Sequence, residues 1–152
     1  MSGRAANWIP QISEVDSNIK KEAEVVEFSR SLNLYIFNLL ITKYGQDLKN
    51  EQWLLEPYSD ILISLAILDT TIKRFCQADV GKKTSMLPVL RLSISNQYRS
   101  IIKNSLDILA EIEESSELLL NWAEKLNYKP ERIKYKIKIY KDLDRYGKYY
   151  LD

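Results

Sequence analysis

The spacing of apolar residues between positions 50 and 75 constrains the fold more than any other feature of this sequence. In the segment NEQWLLEPYSDILISLAILDTTIKRF they recur at alternating steps of four and three, at Leu54, Tyr58, Ile61, Leu65, Leu68, Ile72 and Phe75. Such spacing predicts an α-helix that packs against its neighbours at a shallow angle. Two further apolar rows flank this one, formed by Leu55, Leu62 and Ala66 and by Ile63 and Ile67. A helix that is apolar on so many sides is usually covered by several partners, so we expect the buried axis of a bundle.

Two residues of this helix need a physical explanation. Pro57 removes one backbone hydrogen bond and costs about 3 kcal/mol inside a helix. Because the apolar period passes through it unbroken, we expect a kink there. Asp69 needs a cation, a backbone donor or water, and Lys73, one turn further on, is the partner that the sequence offers. A general base would need a pocket and cooperating groups that the sequence does not display, so we interpret Asp69 as structural.

Two more long helices are predicted on either side of this segment. The first begins near Asp16, with Asp16 or Ser17 as its cap, and ends before Gly45, which we expect to close it in a left-handed conformation. Its apolar face consists of Ile19, Ala23, Val26, Leu32, Ile36, Leu39 and Leu40. After a loop from Gln77 to Thr84, Ser85 and Pro88 indicate the entry to a third helix. That helix carries an apolar face to Ile112, and EIEESSELLLNWAEKL either continues it or breaks at Ser115 and Ser116 into another helix.

The C-terminal segment combines two periods and a basic surface. Between Ile133 and Ile139 apolar residues alternate with lysines as in a strand, but Pro130 opens a helix well and a lone strand would have no sheet to join. We therefore predict a helix, with Ile133, Ile137 and Tyr140 on one face. Residues 129 to 148 hold eight Lys or Arg against three acids, and the candidate interaction surface consists of Lys134, Lys138, Lys141, Arg145 and Tyr140. It could contact a phosphate backbone or an anionic lipid surface, although a solvated basic face is the more common explanation.

Length and composition indicate one soluble domain. With 152 residues, 45% hydrophobic and 28% charged, the chain can bury a single sizeable core. We expect a flexible lead-in at residues 1–15 and a single domain at 16–152, an all-α, up-and-down bundle of four to five helices. The net charge is only +1, so no global field attracts nucleic acid or an acidic membrane, and any such role must be local.

Several kinds of chemistry lack their usual residues. The sequence has no histidine, and its one cysteine, Cys76, lies on an apolar stretch and is predicted to be a buried, inert thiol. We find no phosphate-binding glycine loop, nucleophile elbow or metal-ligand spacing, and we assign no catalytic, cofactor-binding or metal residue. The start of the chain lacks the apolar segment of a secretory signal, and the run ILISLAIL is too short to span a bilayer. We therefore expect a cytoplasmic or organelle-interior location.

The segment LLITKYGQDLK followed by NEQWLLEPYSDILISLAILDTTIKR resembles the C-terminal helical domain of very-long-chain-type acyl-CoA dehydrogenases. The family pattern is met by Asn50, Glu51, Gln52, Trp53, Leu54, Leu55, Asp60 and Arg74. The likeness is specific over residues 34 to 75 and weaker to about residue 110, and near the C-terminus only NYKPERI is similar. The chain departs from the family at Glu56 and Pro57, where a basic residue is common, and at Asp69, where aliphatic residues are usual.

The resemblance implies a non-catalytic domain appended to an FAD-dependent enzyme of fatty acid metabolism. The family's flavin site and glutamate base lie in a larger catalytic region that is not in this chain, so no catalytic or flavin-binding role transfers to any residue here. The partners it implies are that catalytic region or another protein, a second copy in a homodimer, and in some members a membrane surface; nucleic acid is not expected. The alternative is a free-standing helical module that binds a protein or an anionic surface through its basic C-terminal helix.

Overall fold

A computed structural model describes residues 17–146, and within that range every regular element is helical. Five α-helices follow one another: α1 (Lys20–Tyr44), α2 (Gln52–Gln77), α3 (Val80–Glu111), α4 (Glu117–Leu126) and α5 (Arg132–Tyr146). Short 3-10 turns at Ser17–Ile19 and Gly45–Asn50 precede and follow α1. The predicted all-α bundle and the predicted C-terminal helix are thereby confirmed. The expected lead-in at residues 1–15 lies outside the described residues.

The core lies where α1, α2 and α3 meet. Residues at seven-residue spacing on α2 and α3 are fully buried, namely Leu54, Ile61 and Leu68 on α2 and Ile94, Ile101 and Ile108 on α3. Leu32, Ile36 and Leu40 of α1 complete this core. Such spacing keeps the buried side chains in one row along each helix, as in helices that pack nearly parallel or antiparallel. Lys43 at the end of α1 donates a hydrogen bond to the Ile112 carbonyl, which ties the end of α1 to the end of α3.

The ends of the helices show how the chain turns. Gly45 follows the end of α1 at φ 52° and ψ −125° and donates its N–H to the Ile41 carbonyl. The positive φ expected of this glycine is found, but its ψ lies outside the left-handed helical region, so the predicted left-handed cap is only partly confirmed. At the end of α3, Glu113 also adopts a positive φ, 58°, although it is not a glycine. There the amides of Glu113 and Glu114 donate to the carbonyls of Ala110 and Leu109, at 3.2 and 2.9 Å, in the pattern of a Schellman motif. The helix therefore breaks before Ser115, and of the two alternatives for this segment the separate helix is the one found.

Two predicted helix starts were wrong. The loop expected from Gln77 to Thr84 is only Ala78 and Asp79, because α3 begins at Val80. The carbonyl of Asp79 accepts hydrogen bonds from the amides of Lys82 and Lys83, so the helix forms a full turn well before Ser85. Pro88 consequently lies inside α3, where its ring is buried. The α-helix α1 begins only at Lys20, with Ile19 as its N-cap, so Ser17, which lies in the preceding 3-10 turn, is not the cap. Asp16, the other predicted cap, lies outside the described residues.

The predicted seam of α2 is confirmed, but the helix is not covered on every side. The side chains of the seam are buried or partly buried against the core. The flanking rows are largely exposed, with Leu62 45%, Ile63 58% and Ile67 38% accessible. The expectation of an axis covered by several partners was therefore wrong for this side of α2, because α1 and α3 pack only against its other faces. The helix passes through Pro57 without interruption, and the kink stays a prediction.

Candidate functional site: two unpartnered surfaces

The first unpartnered surface lies across α1 and α2 and is apolar. We call it the α1–α2 surface and define it by the exposed side chains Leu34, Phe37, Ile41, Leu62, Ile63 and Ile67. The rings of Phe37 and Tyr58 stack with their centroids 6.0 Å apart, which joins the two helices at this point. One helical turn separates Leu34 from Phe37, and another separates Tyr58 from Leu62. The apolar side chains therefore continue from one helix to the other.

Asp69 lies near one end of this surface and is a structural residue. Its Oδ1 accepts a hydrogen bond of 2.5 Å from the Arg30 guanidinium, which also pairs with Glu27. The cation that hydrogen-bonds Asp69 is thus Arg30 of α1, a partner from another helix that the sequence pattern did not predict. The side chains of Arg30 and Asp69 are about one third exposed, so this ion pair reaches the rim of the apolar surface.

The second unpartnered surface lies on α5 and combines apolar and basic side chains. We call it the α5 surface. Ile133, Ile137 and Tyr140 are 76%, 51% and 74% exposed and form one row, since they lie four and three residues apart. Beside them the exposed residues Lys134, Lys138, Lys141 and Arg145 form a second row with steps of four, three and four. The structure therefore brings all five predicted surface residues together on one side of a single helix.

The opposite side of α5 holds the helix on α3. Tyr135 and Ile139 are partly buried there, and the Arg132 guanidinium donates a hydrogen bond to the Asn96 side chain. In the segment before α5, the ring of Tyr128 meets that of Tyr98 edge to face at 5.6 Å. Ile133, Ile137 and Tyr140 share one helical face, as predicted, and Tyr140 is exposed as expected of the predicted interaction surface. The exposure of Ile133 and Ile137 was not predicted, because periodicity identifies a face without showing whether a partner covers it.

Most of the residues that match the dehydrogenase pattern form or pack helix α2 and do not line a common pocket. Leu54 is fully buried in the core, whereas Asn50, Gln52 and Arg74 are exposed. Glu51 is the N-cap of α2, and its carbonyl accepts hydrogen bonds from the amides of Leu54 and Leu55, both at 3.0 Å. Glu51 therefore caps the start of α2, and Leu54 packs this helix against the core. Trp53 and Asp60 line an open surface groove with Asp107 and Glu111.

A polar cluster joins the start of α1 to α3. The Arg91 guanidinium donates to the Glu22 carboxylate at 3.0 Å and to the Asn18 carbonyl at 2.9 Å, and the Glu22 side chain is only 6% exposed. The hydroxyl of Tyr128 is buried, and none of the residues from 17 to 146 provides it with a hydrogen-bond partner. Burial, followed by the nearby Glu22 carboxylate, raises the pKa of the Tyr128 hydroxyl well above its ordinary value of 10.0. Burial also raises the pKa values of Tyr58 and Tyr98.

Three further features are relevant to a chemical site: the cysteine, clusters of metal-binding side chains and a small cavity. Cys76 is exposed, which corrects the prediction of a buried, inert thiol. It directly follows Phe75, the last buried residue of the seam, and one step along a helix turns a side chain about 100° away from the buried row. Among residues 17–146 no cluster of three or more Cys, Asp or Glu is arranged to hold a metal ion. A small cavity of about 150 Å³ between α2 and α3 is lined by apolar side chains that include Phe75 and Met86 and by the hydroxyl-bearing side chains of Thr71 and Ser93.

Comparison with known proteins gives no identification. No protein-family model, curated protein or solved structure matches the chain. In the part of the chain that the structure describes, none of the helices combines the length and the apolar character needed to cross a bilayer. The resemblance to acyl-CoA dehydrogenases therefore remains a hypothesis that rests on the sequence pattern.

Proposed function

We propose that this chain is a non-catalytic helical docking domain whose α1–α2 surface packs against another protein body. The observation that carries the proposal is the band of exposed Leu, Ile and Phe side chains across two adjacent helices. Contiguous apolar surface of this kind is uncommon on isolated soluble proteins and is typical of binding interfaces. The ion pair between Arg30 and Asp69 at its rim also suits an interface, which commonly has an apolar centre and a polar edge.

The partner that fits best is the catalytic region of a very-long-chain-type acyl-CoA dehydrogenase. All six side chains that define the α1–α2 surface lie between residues 34 and 67. This span falls within residues 34 to 75, where the sequence resemblance is specific. A domain that packs on a larger flavoprotein would keep its own core on one side of α2 and leave the other side apolar for the contact. On this proposal the chain itself performs no chemistry, and FAD belongs to its partner.

The native state of the polypeptide provides the first test. Mass spectrometry of gel bands from the source cells, using peptides from residues 50 to 75, gives the size of the native chain. A flavin-containing band several times heavier than 17.8 kDa supports a fragment of a dehydrogenase. A polypeptide of 17.8 kDa that does not co-purify with a flavoprotein contradicts the proposed partner.

Side-chain footprinting of the native assembly tests the surface itself. Carbene labelling of Leu62 and Ile63 should fall strongly in the assembly compared with the isolated chain. The matched control is α4, where Leu118 and Leu120 are exposed to a similar extent and should label equally in both states. Equal labelling of Ile63 in the two states would show that the partner binds elsewhere.

A further inference from the structure

We propose that the α5 surface binds anionic lipid bilayers, with the helix lying along the membrane plane. Ile133, Ile137 and Tyr140 enter the boundary between headgroups and acyl chains, and the lysines beside them contact lipid phosphates. This inference does not depend on the proposed docking function, because α5 lies outside the α1–α2 surface and outside residues 34 to 75, where the sequence resemblance is specific. Only Arg132 and Ile133, at the start of α5, belong to the similar motif NYKPERI. It rests on exposure, spacing and charge.

The two sides of α5 differ in what they contact. The side with Tyr135 and Ile139 packs on α3, whereas the row Ile133, Ile137 and Tyr140 is between 51% and 76% exposed. Holding three large apolar side chains in water costs free energy that burial elsewhere would recover. Since α3 holds the opposite side, the helix can turn this row towards a flat surface without unfolding.

Charge determines which surface fits. α5 contains six basic and two acidic residues, although the whole chain has a net charge of only +1. Asp142 is partly buried, so Asp144 is the acid of α5 that faces solvent freely. Lys134 pairs with Glu131 at 2.8 Å, but both side chains are more than half exposed, and such pairs exchange partners at little cost. A surface of negative charge therefore complements this side of the helix.

The apolar row favours a lipid surface over a nucleic acid. Single-stranded nucleic acids are bound by aromatic rings on which bases stack, and Tyr140 is the one aromatic side chain of the row. Isoleucine side chains offer bases no stacking face but partition well into the acyl region of a bilayer. A basic row alongside an apolar row is the pattern of helices that lie in the membrane interface.

Co-sedimentation of the full chain with vesicles tests the proposal. The chain should bind vesicles of phosphatidylcholine mixed with phosphatidylserine and should bind pure phosphatidylcholine much more weakly. Replacing Lys134, Lys138 and Lys141 together by glutamine should weaken partitioning into the mixed vesicles by about a hundredfold, since each lysine near an anionic surface contributes about fivefold. Ile133→Ser with Ile137→Ser should weaken it by about tenfold through loss of apolar burial.

A charge-matched control separates the local surface from the overall charge. Lys20, Lys49 and Lys82 are exposed on other parts of the bundle, and their joint replacement by glutamine removes the same total charge. This variant should bind the mixed vesicles within about twofold of the parent chain, because charges beyond a Debye length of the bilayer are screened. Far-UV circular dichroism of every variant verifies that the helices are intact.

Insertion can be measured independently of these variants. An environment-sensitive dye placed by Ile137→Cys in a Cys76→Ser background should shift to the blue on mixed vesicles, whereas the same dye placed by Lys49→Cys should not. Equal binding by the parent and the triple glutamine variant overturns the proposal. Binding that is unchanged by the isoleucine substitutions also overturns it, because the surface would then be purely electrostatic. Tighter binding to single-stranded RNA than to vesicles overturns it as well, because the surface would then be a nucleic-acid site.

Discussion

At the scale of single residues, buried polar groups define the most specific contacts of this bundle. Glu22 and Arg91 join α1 to α3 through a bond of 3.0 Å, with the carboxylate almost completely buried. A buried charge that loses its partner is left uncompensated, which destabilises the fold more than the intact pair stabilises it. The buried hydroxyl of Tyr128, to which no residue from 17 to 146 is hydrogen-bonded, likewise costs free energy, which the contact of its ring with Tyr98 helps to offset.

Arg91→Met should therefore lower the free energy of unfolding by about 3 kcal/mol. The Glu22 carboxylate would stay buried while losing its guanidinium donor, and α1 would lose its tie to α3. Urea denaturation measures the change. The control is Lys103→Met, which removes the exposed pair with Asp107 at 2.8 Å and should change stability far less. Equal losses for the two variants would indicate that burial of Glu22 does not matter.

Tyr128→Phe should change how stability depends on alkaline pH. Because burial raises the pKa of the folded Tyr128 hydroxyl above 10.0, the folded state keeps its proton where the unfolded state loses it. Stability is therefore complete below about pH 10 and falls as the pH rises further, because the unfolded state then binds fewer protons. Thermal unfolding across this range should show a shallower decline for Tyr128→Phe than for the parent chain. At neutral pH the variant should be as stable as the parent or more so, since no described residue bonds the hydroxyl.

At the scale of helices, the positive φ angles at the ends of α1 and α3 can be tested by replacing a glycine with alanine at one end and introducing a glycine at the other. Gly45 has φ 52° and ψ −125°, and an added Cβ would meet nothing within 4 Å, so strain in Gly45→Ala comes from the backbone alone. It should lower the free energy of unfolding by about 1–3 kcal/mol. Glu113 holds φ 58° with a side chain, and Glu113→Gly should raise that free energy by about 0.5–1 kcal/mol. Chemical denaturation of both variants should give shifts of opposite sign.

The sequence predicted helices well and their boundaries unevenly. The seam from Leu54 to Phe75 consists of seven apolar residues at six regular steps, so the sequence alone predicts both the helical type and the buried row of α2. The start of α3 was missed because Pro88 is a strong start signal, whereas the hydrogen bonds that begin the helix at Asp79 involve backbone carbonyls that sequence patterns do not reveal. The exposure of individual apolar side chains was harder to predict than the helix boundaries. Leu62 and Ile63 look identical in sequence to residues in the core, and only the placement of α1 and α3 leaves them in water.

At the scale of the whole molecule, residues 17–146 form one core and leave the α1–α2 surface and the α5 surface uncovered by other described residues. The core requires one row of each long helix, and the remaining apolar rows contribute little to the stability of the isolated bundle. This separation explains how a small bundle can fold and still present large apolar side chains. It also means that stability and binding should respond to different residues of the same helix.

Three consecutive residues of α2 provide the test of this separation. Ile61 is fully buried, so Ile61→Ala should lower the free energy of unfolding by about 2–5 kcal/mol through loss of apolar burial and creation of a cavity. Leu62→Ser and Ile63→Ser change exposed side chains and should each stay within about 0.5 kcal/mol of the parent chain. Urea denaturation of the isolated chain measures these values. The affinity of the chain for its partner in the native assembly should show the opposite order. Leu62→Ser and Ile63→Ser should weaken binding because they remove side chains from the proposed interface, whereas Ile61→Ala leaves that interface in place. If both exposed substitutions left the assembly as tight as the parent, the α1–α2 surface would not be the docking site.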